Sequence, residues 1–201
     1  MSRPYRSLHV VLVLCVLSCY GVGWALDVVI DDGQDPTLKD WAIRACVWED
    51  GKGRTIEEEP FRLEHVTEPG KIRRYGGGIR VQFASGKATK HPNCYALLRR
   101  VNVPQPAEET DCLVFWIRKE AGGGRIKSID LFNSRTWKHF YSGPIPLDFS
   151  GWRQIVLTRA ELKRSPEDTP WGETNYLQFM CMGDFVIVMS GFHWASSGNV
   201  V

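Results

Sequence analysis

The chain has no G-x-S-x-G, H-E-x-x-H or P-loop motif, and its Gly76-Gly77-Gly78 run lacks the lysine and following helix that a phosphate cradle requires. These absences leave no sequence signature for nucleophilic hydrolysis, zinc-dependent proteolysis or nucleotide-phosphate transfer. There is no C-x-x-C, and His65, His91, His139 and His193 are widely separated with no ligand-type partner at i+2 or i+4, so nothing points to zinc. A charge excess is missing too. Removing Arg3 and Arg6 with a leader takes the 25 Lys and Arg residues to 23, against 23 acids. A formally neutral chain lacks the basic footprint of a nucleic-acid binder, and Arg73-Arg74, Lys87/Lys90 and Arg99-Arg100 read as solvated charges. No internal repeat is visible, and amphipathic helix pattern is scarce. The one helical candidate is Thr158 to Ser165, a turn or two started by Thr158 with Glu161 three residues on.

What is present is strand pattern. The segments "CLVFWIRK", "IKSIDLF", "GWRQIVLT", "NYLQFMCM" and "FVIVMSGFHW" alternate or run apolar for strand length between turn residues. Alternation sends Leu113, Phe115, Ile117, Ile129, Leu131, Ile155, Leu157 and Phe179 into a core, while Trp116, Arg118, Asp130 and Gln154 point the other way. Upstream, "LDVVIDD", the stretch from Trp41 to Trp48, Phe61 to Val66, "GIRVQF" and "CYALLRRVNV" add strands. Residues 49–78 are otherwise loop-like, with the Glu57-Glu58-Glu59 run. Eight or more short strands with little helix predict an all-β fold, a two-sheet antiparallel β-sandwich closed as a jelly roll.

The N-terminus carries a targeting pattern. Arg3 and Arg6 form a positive region, Val10 to Leu17 an apolar one, and Gly23-Trp24-Ala25 a cleavage signature. Residues 1–25 are therefore expected to be a signal peptide, and residues 26–201 one β-sandwich domain, secreted, periplasmic or at the cell surface. Two alternatives stay open: an uncleaved anchor over Leu8 to Leu26, and lipidation at Cys19, either of which ties the domain to a membrane. Cys15 and Cys19 leave with a cleaved leader. Cys46, Cys94, Cys112 and Cys181 then form either two disulfides or buried free thiols, and parity places Cys112 and Cys181 on differently directed faces.

The order of segments resembles the galactose-binding-like and carbohydrate-binding-module-like jelly rolls of exported bacterial proteins. The residues that carry this are Asp31-Asp32, Trp41, Gly78 to Phe83, Asp111 to Arg118, Ile126 to Phe132, Gly151 to Leu157, Leu177 to Phe179 and Trp194. The resemblance implies a non-catalytic module that binds polysaccharide or glycan. Other readings are an adhesive or structural envelope protein that binds another protein, and a small polysaccharide lyase or hydrolase using a carboxylate pair such as Asp130 with Glu173. Relatives hold a structural calcium through acids of the opening and closing strands. Here only Asp31 and Asp32 remain, because the closing strand reads Val188-Met189-Ser190-Gly191, so no cofactor is expected.

Sugar recognition needs flat apolar faces for C–H patches and planar polar groups that bridge hydroxyls. Trp116, Trp137 and Trp171 meet the first need, with Tyr141 four residues past Trp137. Arg80, Gln82, Arg118, Asp130, Gln154 and Gln178 meet the second, and they converge if their strands share one sheet. Trp41, Trp152 and Trp194 are expected to be core plugs.

Overall fold

The computed structural model describes residues 27–67, 77–85, 90, 91 and 93–200. The expected leader, with Cys15 and Cys19, lies outside them, as do Gly76, Arg73-Arg74 and Lys87. Among the described residues no helix is long and apolar enough to cross a membrane.

Among the described residues fourteen strands fall in two antiparallel sheets, with two short 3-10 turns, Trp171–Glu173 and Ser197–Asn199. Sheet A runs β11 (Trp152–Thr158), β7 (Cys112–Gly122), β14 (Phe185–Ala195), β5 (Gly78–Phe83) and β4 (Phe61–Val66), with β1 (Val28–Asp31) also paired to β14. Sheet B runs β12 (Lys163–Ser165), β9 (His139–Tyr141), β8 (Arg125–Phe132), β13 (Tyr176–Met182), β6 (Tyr95–Arg100), β2 (Trp41–Glu49) and β3 (Lys52–Thr55), with β10 (Ile145–Pro146) on β8. This is the β-sandwich that the alternation predicts.

Period-two alternation fills the space between the sheets. Leu113, Phe115, Ile117, Ile129, Leu131, Ile155 and Phe179 are buried, and Leu157 packs against the same core while half-exposed on edge strand β11. Phe115 stacks on Phe192 with ring centroids 5.0 Å apart, and Phe179 meets both edge-on. Trp41 and Trp194 are core plugs as expected. The indole N–H of Trp41 donates to Asp31 and that of Trp194 to the Pro104 carbonyl, which removes the cost of burying them.

The turn at Gly122-Gly123-Gly124 carries the chain from sheet A to sheet B, and Gly183 carries it back from β13 to β14. The two crossings lie against each other. A Cβ on Gly122 would sit 2.3 Å from the Asp184 carbonyl oxygen and one on Gly124 2.4 Å from that of Met182, and Gly122, Gly124 and Gly183 have positive φ.

Three expectations are corrected. Thr158 to Ser165 is not a helix of two turns. The capping contacts form, with the Thr158 hydroxyl donating to Glu161 at 2.7 Å and the Leu162 N–H to the Thr158 carbonyl at 3.2 Å, but Lys163–Ser165 then pairs with β9 as edge strand β12. The strand that begins near Cys94 stops at Arg100 rather than reaching Pro104. Residues 52–55, expected as loop, form β3 and supply an edge to sheet B, while β4 is the strand expected at Phe61 to Val66.

The four described cysteines are buried, and none of them is in a disulfide. Cys112 lies on the outer side of sheet A under Ala195, Val156 and Val200, and Cys181 lies in the core. Burial pushes the thiol of Cys112 up to about 11 and that of Cys181 up to about 12, so neither is a thiolate near neutral pH.

Candidate ligand-binding face

In an antiparallel ladder, directly opposed residues share a face, so the strand registers show what each sheet presents outward. On sheet A one row reads Trp152, Arg118, Val188, Arg80, Glu64, and the next Gln154, Trp116, Ser190. The charged groups of this face are joined to one another. Arg80 bonds Glu120 at 2.7 Å and Glu64 at 2.9 Å, Glu64 also takes Arg62 at 2.7 Å, and Arg118 pairs with Glu120. The Arg80 hydrogen bond, then Arg118, holds the Glu120 carboxyl below the ordinary range. The Arg118 guanidinium also lies over the Trp152 ring, 5.1 Å from its centroid, so Trp152 is half-buried on the outer face and not a core plug. Trp116 is half-buried among these groups, and Gln82 is exposed beside Arg62.

Sheet B presents a different surface. One row crosses it as Lys163, Tyr141, Asp130, Gln178, Arg99, Ala42; a second reads Ser165, His139, Phe132, Tyr176; a third Ser128, Met180, Leu97, Arg44. The first row is a chain of planar polar groups. Arg99 Nε donates to Gln178 Oε1 at 3.0 Å, and Gln178 Nε2 donates to Asp130 Oδ2 at 3.2 Å. Desolvation pushes the Asp130 carboxyl above its ordinary value, although the Gln178 hydrogen bond opposes it. Beside that row, Cys46, Tyr95 and Leu97 form an apolar strip with Met180 and Met182.

Trp137 stands at one end of this surface, 68% exposed, on the loop joining β8 to β9. The loop is fixed from several sides. Asn133 Oδ1 accepts from the Arg135 and Thr136 N–H groups at 2.8 and 3.2 Å, Asn133 Nδ2 donates to Glu173 at 3.1 Å, and the Ser134 N–H donates to Asn175 at 2.9 Å. Trp137 has φ +59°, a conformation that is an outlier for a bulky residue, and its ring stacks on Phe132, which stacks on Tyr176. A large apolar ring is thus held outward at a local conformational cost.

Two cavities lie on this surface, one of them against Trp137. One of 350 Å³ is lined by Asp130, Phe132, Trp137, His139 and Gln178. Another of 320 Å³ shares Asp130 and His139 and continues over Tyr141, Lys127 and Met180 to Trp48, which is 59% exposed. Together they form a groove across strands β9, β8, β13, β6 and β2, about 19 Å at a strand spacing of ~4.8 Å. Its form suits an extended ligand: an apolar plate at one end, polar side chains on the floor, and a second indole opposite.

The residues expected to converge therefore divide. Asp130, Gln178, Trp137 and Tyr141 meet on sheet B, whereas Trp116, Arg118, Arg80, Gln82 and Gln154 lie on the outer side of sheet A. Trp171 belongs to neither. It is 4% exposed, with edge contacts to Phe140 at 5.3 Å and Trp194 at 5.2 Å, because the 3-10 turn after Pro170 tucks its ring into the sandwich end. Sequence reasoning missed His139 and Trp48 as surface groups. Parity could have found both: His139 is two residues from Tyr141, and Trp48 continues the Ala42, Arg44, Cys46 side of β2.

Asp31 and Asp32 sit apart from the groove. Asp31 accepts from the Gly33 N–H at 2.7 Å and the Trp41 indole at 2.5 Å, and the Arg100 guanidinium approaches it at 3.2 Å; Asp32 accepts from the Gln34 N–H at 3.0 Å. Arg100 also pairs with Asp40 at 3.0 Å and donates to the carbonyls of Val101 and Ile30. Among the described residues no group of three or more His, Cys, Asp or Glu side chains is placed to hold a metal.

No protein-family model matches the chain, and no curated protein does. Solved structures do. The chain is similar to the family 11 carbohydrate-binding module of the cellulosomal cellulase Lic26A-Cel5E of Clostridium thermocellum, at 14% identity over 85% of this chain and 95% of that one, with a TM-score of 0.55. It is equally similar to the family 11 module from Clostridium thermocellum in complex with a β-1,3-1,4-mixed-linked tetrasaccharide, with the same identity and coverage and a TM-score of 0.56. The fold is thus the β-sandwich of carbohydrate-binding modules, as the order of sequence segments implied.

Proposed function

We propose that this chain is a non-catalytic carbohydrate-binding module that takes a polysaccharide or glycan in the groove on the outer face of sheet B. The observation that carries the reading is Trp137, an exposed ring held at positive φ and backed by Phe132 beside Asp130, Gln178 and His139. Its free face offers the plate on which sugar C–H groups stack. The linked side chains of Asp130, Gln178 and Arg99 offer acceptors and donors at the spacing of a sheet row for the hydroxyls. The similarity to a module solved with a tetrasaccharide agrees with this assignment.

A role without catalysis is supported by how the candidate acids are engaged. Asp130 accepts from Gln178 and Glu173 accepts from Asn133, so both serve to hold neighbouring groups. Export, proposed from the Arg3, Arg6 and Val10 to Leu17 pattern, places such a module where polysaccharides occur.

Titration of a glycan panel tests the proposal. Binding is expected, and Trp137→Ala should weaken it about 30-fold, since losing a ring contact costs ~2 kcal/mol. Release of reducing ends by the purified protein would replace the module with an enzyme.

A further inference from the structure

The two outer faces treat their cations differently. On sheet A, Arg62, Arg80 and Arg118 are each paired with Glu64 or Glu120. On sheet B, Arg44, Arg99, Arg125, Lys127 and Lys163 stand in or beside the rows that form the groove, and among the described residues none of the five is ion-paired. Arg99 is held by the neutral Gln178, Arg125 lies near the Met182 sulfur at 4.0 Å, and the Arg44 Nε is buried without a hydrogen-bond partner. Asp130 is the one carboxylate in those rows. Since residues 27–201 carry equal numbers of acidic and basic side chains, this is a local asymmetry and not a property of the whole molecule.

We infer that the groove selects an anionic polysaccharide, one bearing carboxylate or sulfate groups, over a neutral one. The inference rests on the groove being a glycan site. Unpaired guanidinium and ammonium groups along a groove give charge-assisted hydrogen bonds to such anions and raise their local concentration. The cations flank the apolar strip of Leu97, Met180 and Met182, so a chain lying along it meets apolar surface below its rings and positive charge at its edges. Aromatic stacking by Trp137 and Trp48 would then position the sugar, and the cations would choose its class.

The test is calorimetric titration of the full chain with sodium polygalacturonate, dextran sulfate and neutral dextran at low and moderate salt, with sodium polyacrylate as a polyanion that is not a glycan. At least one anionic polysaccharide is expected to bind about tenfold or more tighter than dextran at low salt, with the preference shrinking as salt rises. Polygalacturonate alone would identify carboxylate as the anion read, dextran sulfate alone sulfate. Arg99→Gln and Lys127→Gln should each reduce that affinity severalfold with unchanged melting temperature, and Arg62→Gln on sheet A should leave it intact. Binding of dextran as tight as that of the anionic polymers, with no salt dependence, would overturn the inference while keeping the glycan site. Equal binding of polyacrylate that survives Trp137→Ala would overturn it as simple ion exchange. Absence of binding to every polysaccharide would overturn both the inference and the function on which it rests.

Discussion

Gln178 and Asp130 face each other across the β13 and β8 ladder and are joined at 3.2 Å, with Asp130 largely desolvated and its carboxyl pushed above the ordinary 3.8. The folded state therefore holds this proton to higher pH than the unfolded chain does. Stability falls as pH rises from the unfolded value through the folded one, and the ionised form carries the cost at neutral pH. Asp130→Asn is expected to raise the melting temperature at pH 7 and to leave it unchanged below about pH 3.5. Thermal melts at the two pH values check this.

Glu120 has the opposite sign. Arg80 and Arg118 hold its carboxyl below the ordinary range, so its contribution is present above the unfolded pKa and is lost as pH falls through the folded one. Glu120→Gln should destabilise by about 1 kcal/mol or less at pH 7, since the group is partly solvated, and by nothing measurable at pH 2. Denaturant midpoints across that range decide it. An equal loss at both pH values would mean that packing, not charge, is what Glu120 supplies.

Arg100 of β6 reaches β1 in the other sheet, with Asp31 and Asp40 as partners and its side chain only 11% exposed. Arg100→Leu should cost about 3 kcal/mol or more, because it strands two carboxylates in a partly desolvated site. With Asp31 already coordinated by donors, a chelator should leave the melting temperature of the wild-type chain unchanged. A drop of several degrees, restored by calcium and not by magnesium, would instead assign a metal to Asp31 and Asp32.

Trp171 provides a control that separates core from site. Trp171→Ala should lower stability by ~3–5 kcal/mol, shifting the melt by roughly 10 °C, while glycan affinity of the folded protein stays the same. Affinity measured well below the lowered melt is the check.

The fold was legible because its determinants are local. The alternation through Leu113, Phe115 and Ile117 states which side of β7 is buried, and the core follows. What alternation cannot state is which sheet a strand joins. Arg118 and Asp130 both point away from the core, yet the glycines between them move the chain from one sheet to the other, so equal parity ends on opposite surfaces of the sandwich. Trp137 and Trp171 show the same limit in single residues. Both stand beside turns, but one is turned outward by a loop that Asn133, Asn175 and Glu173 hold, and the other inward by a 3-10 turn, through contacts 23 to 41 residues away in sequence. The charge asymmetry between the faces was hidden for the same reason, since it depends on which arginines find a glutamate across a ladder.

The most direct measurement compares Trp137→Ala with Trp116→Ala in titrations against whichever polysaccharide binds the unaltered chain. Both variants should fold with unchanged strand signal. Loss of about 30-fold in affinity for Trp137→Ala, with Trp116→Ala unchanged, is the expected result and places the site on sheet B. Full affinity in Trp137→Ala with loss in Trp116→Ala would contradict the account and move the site to the opposite face.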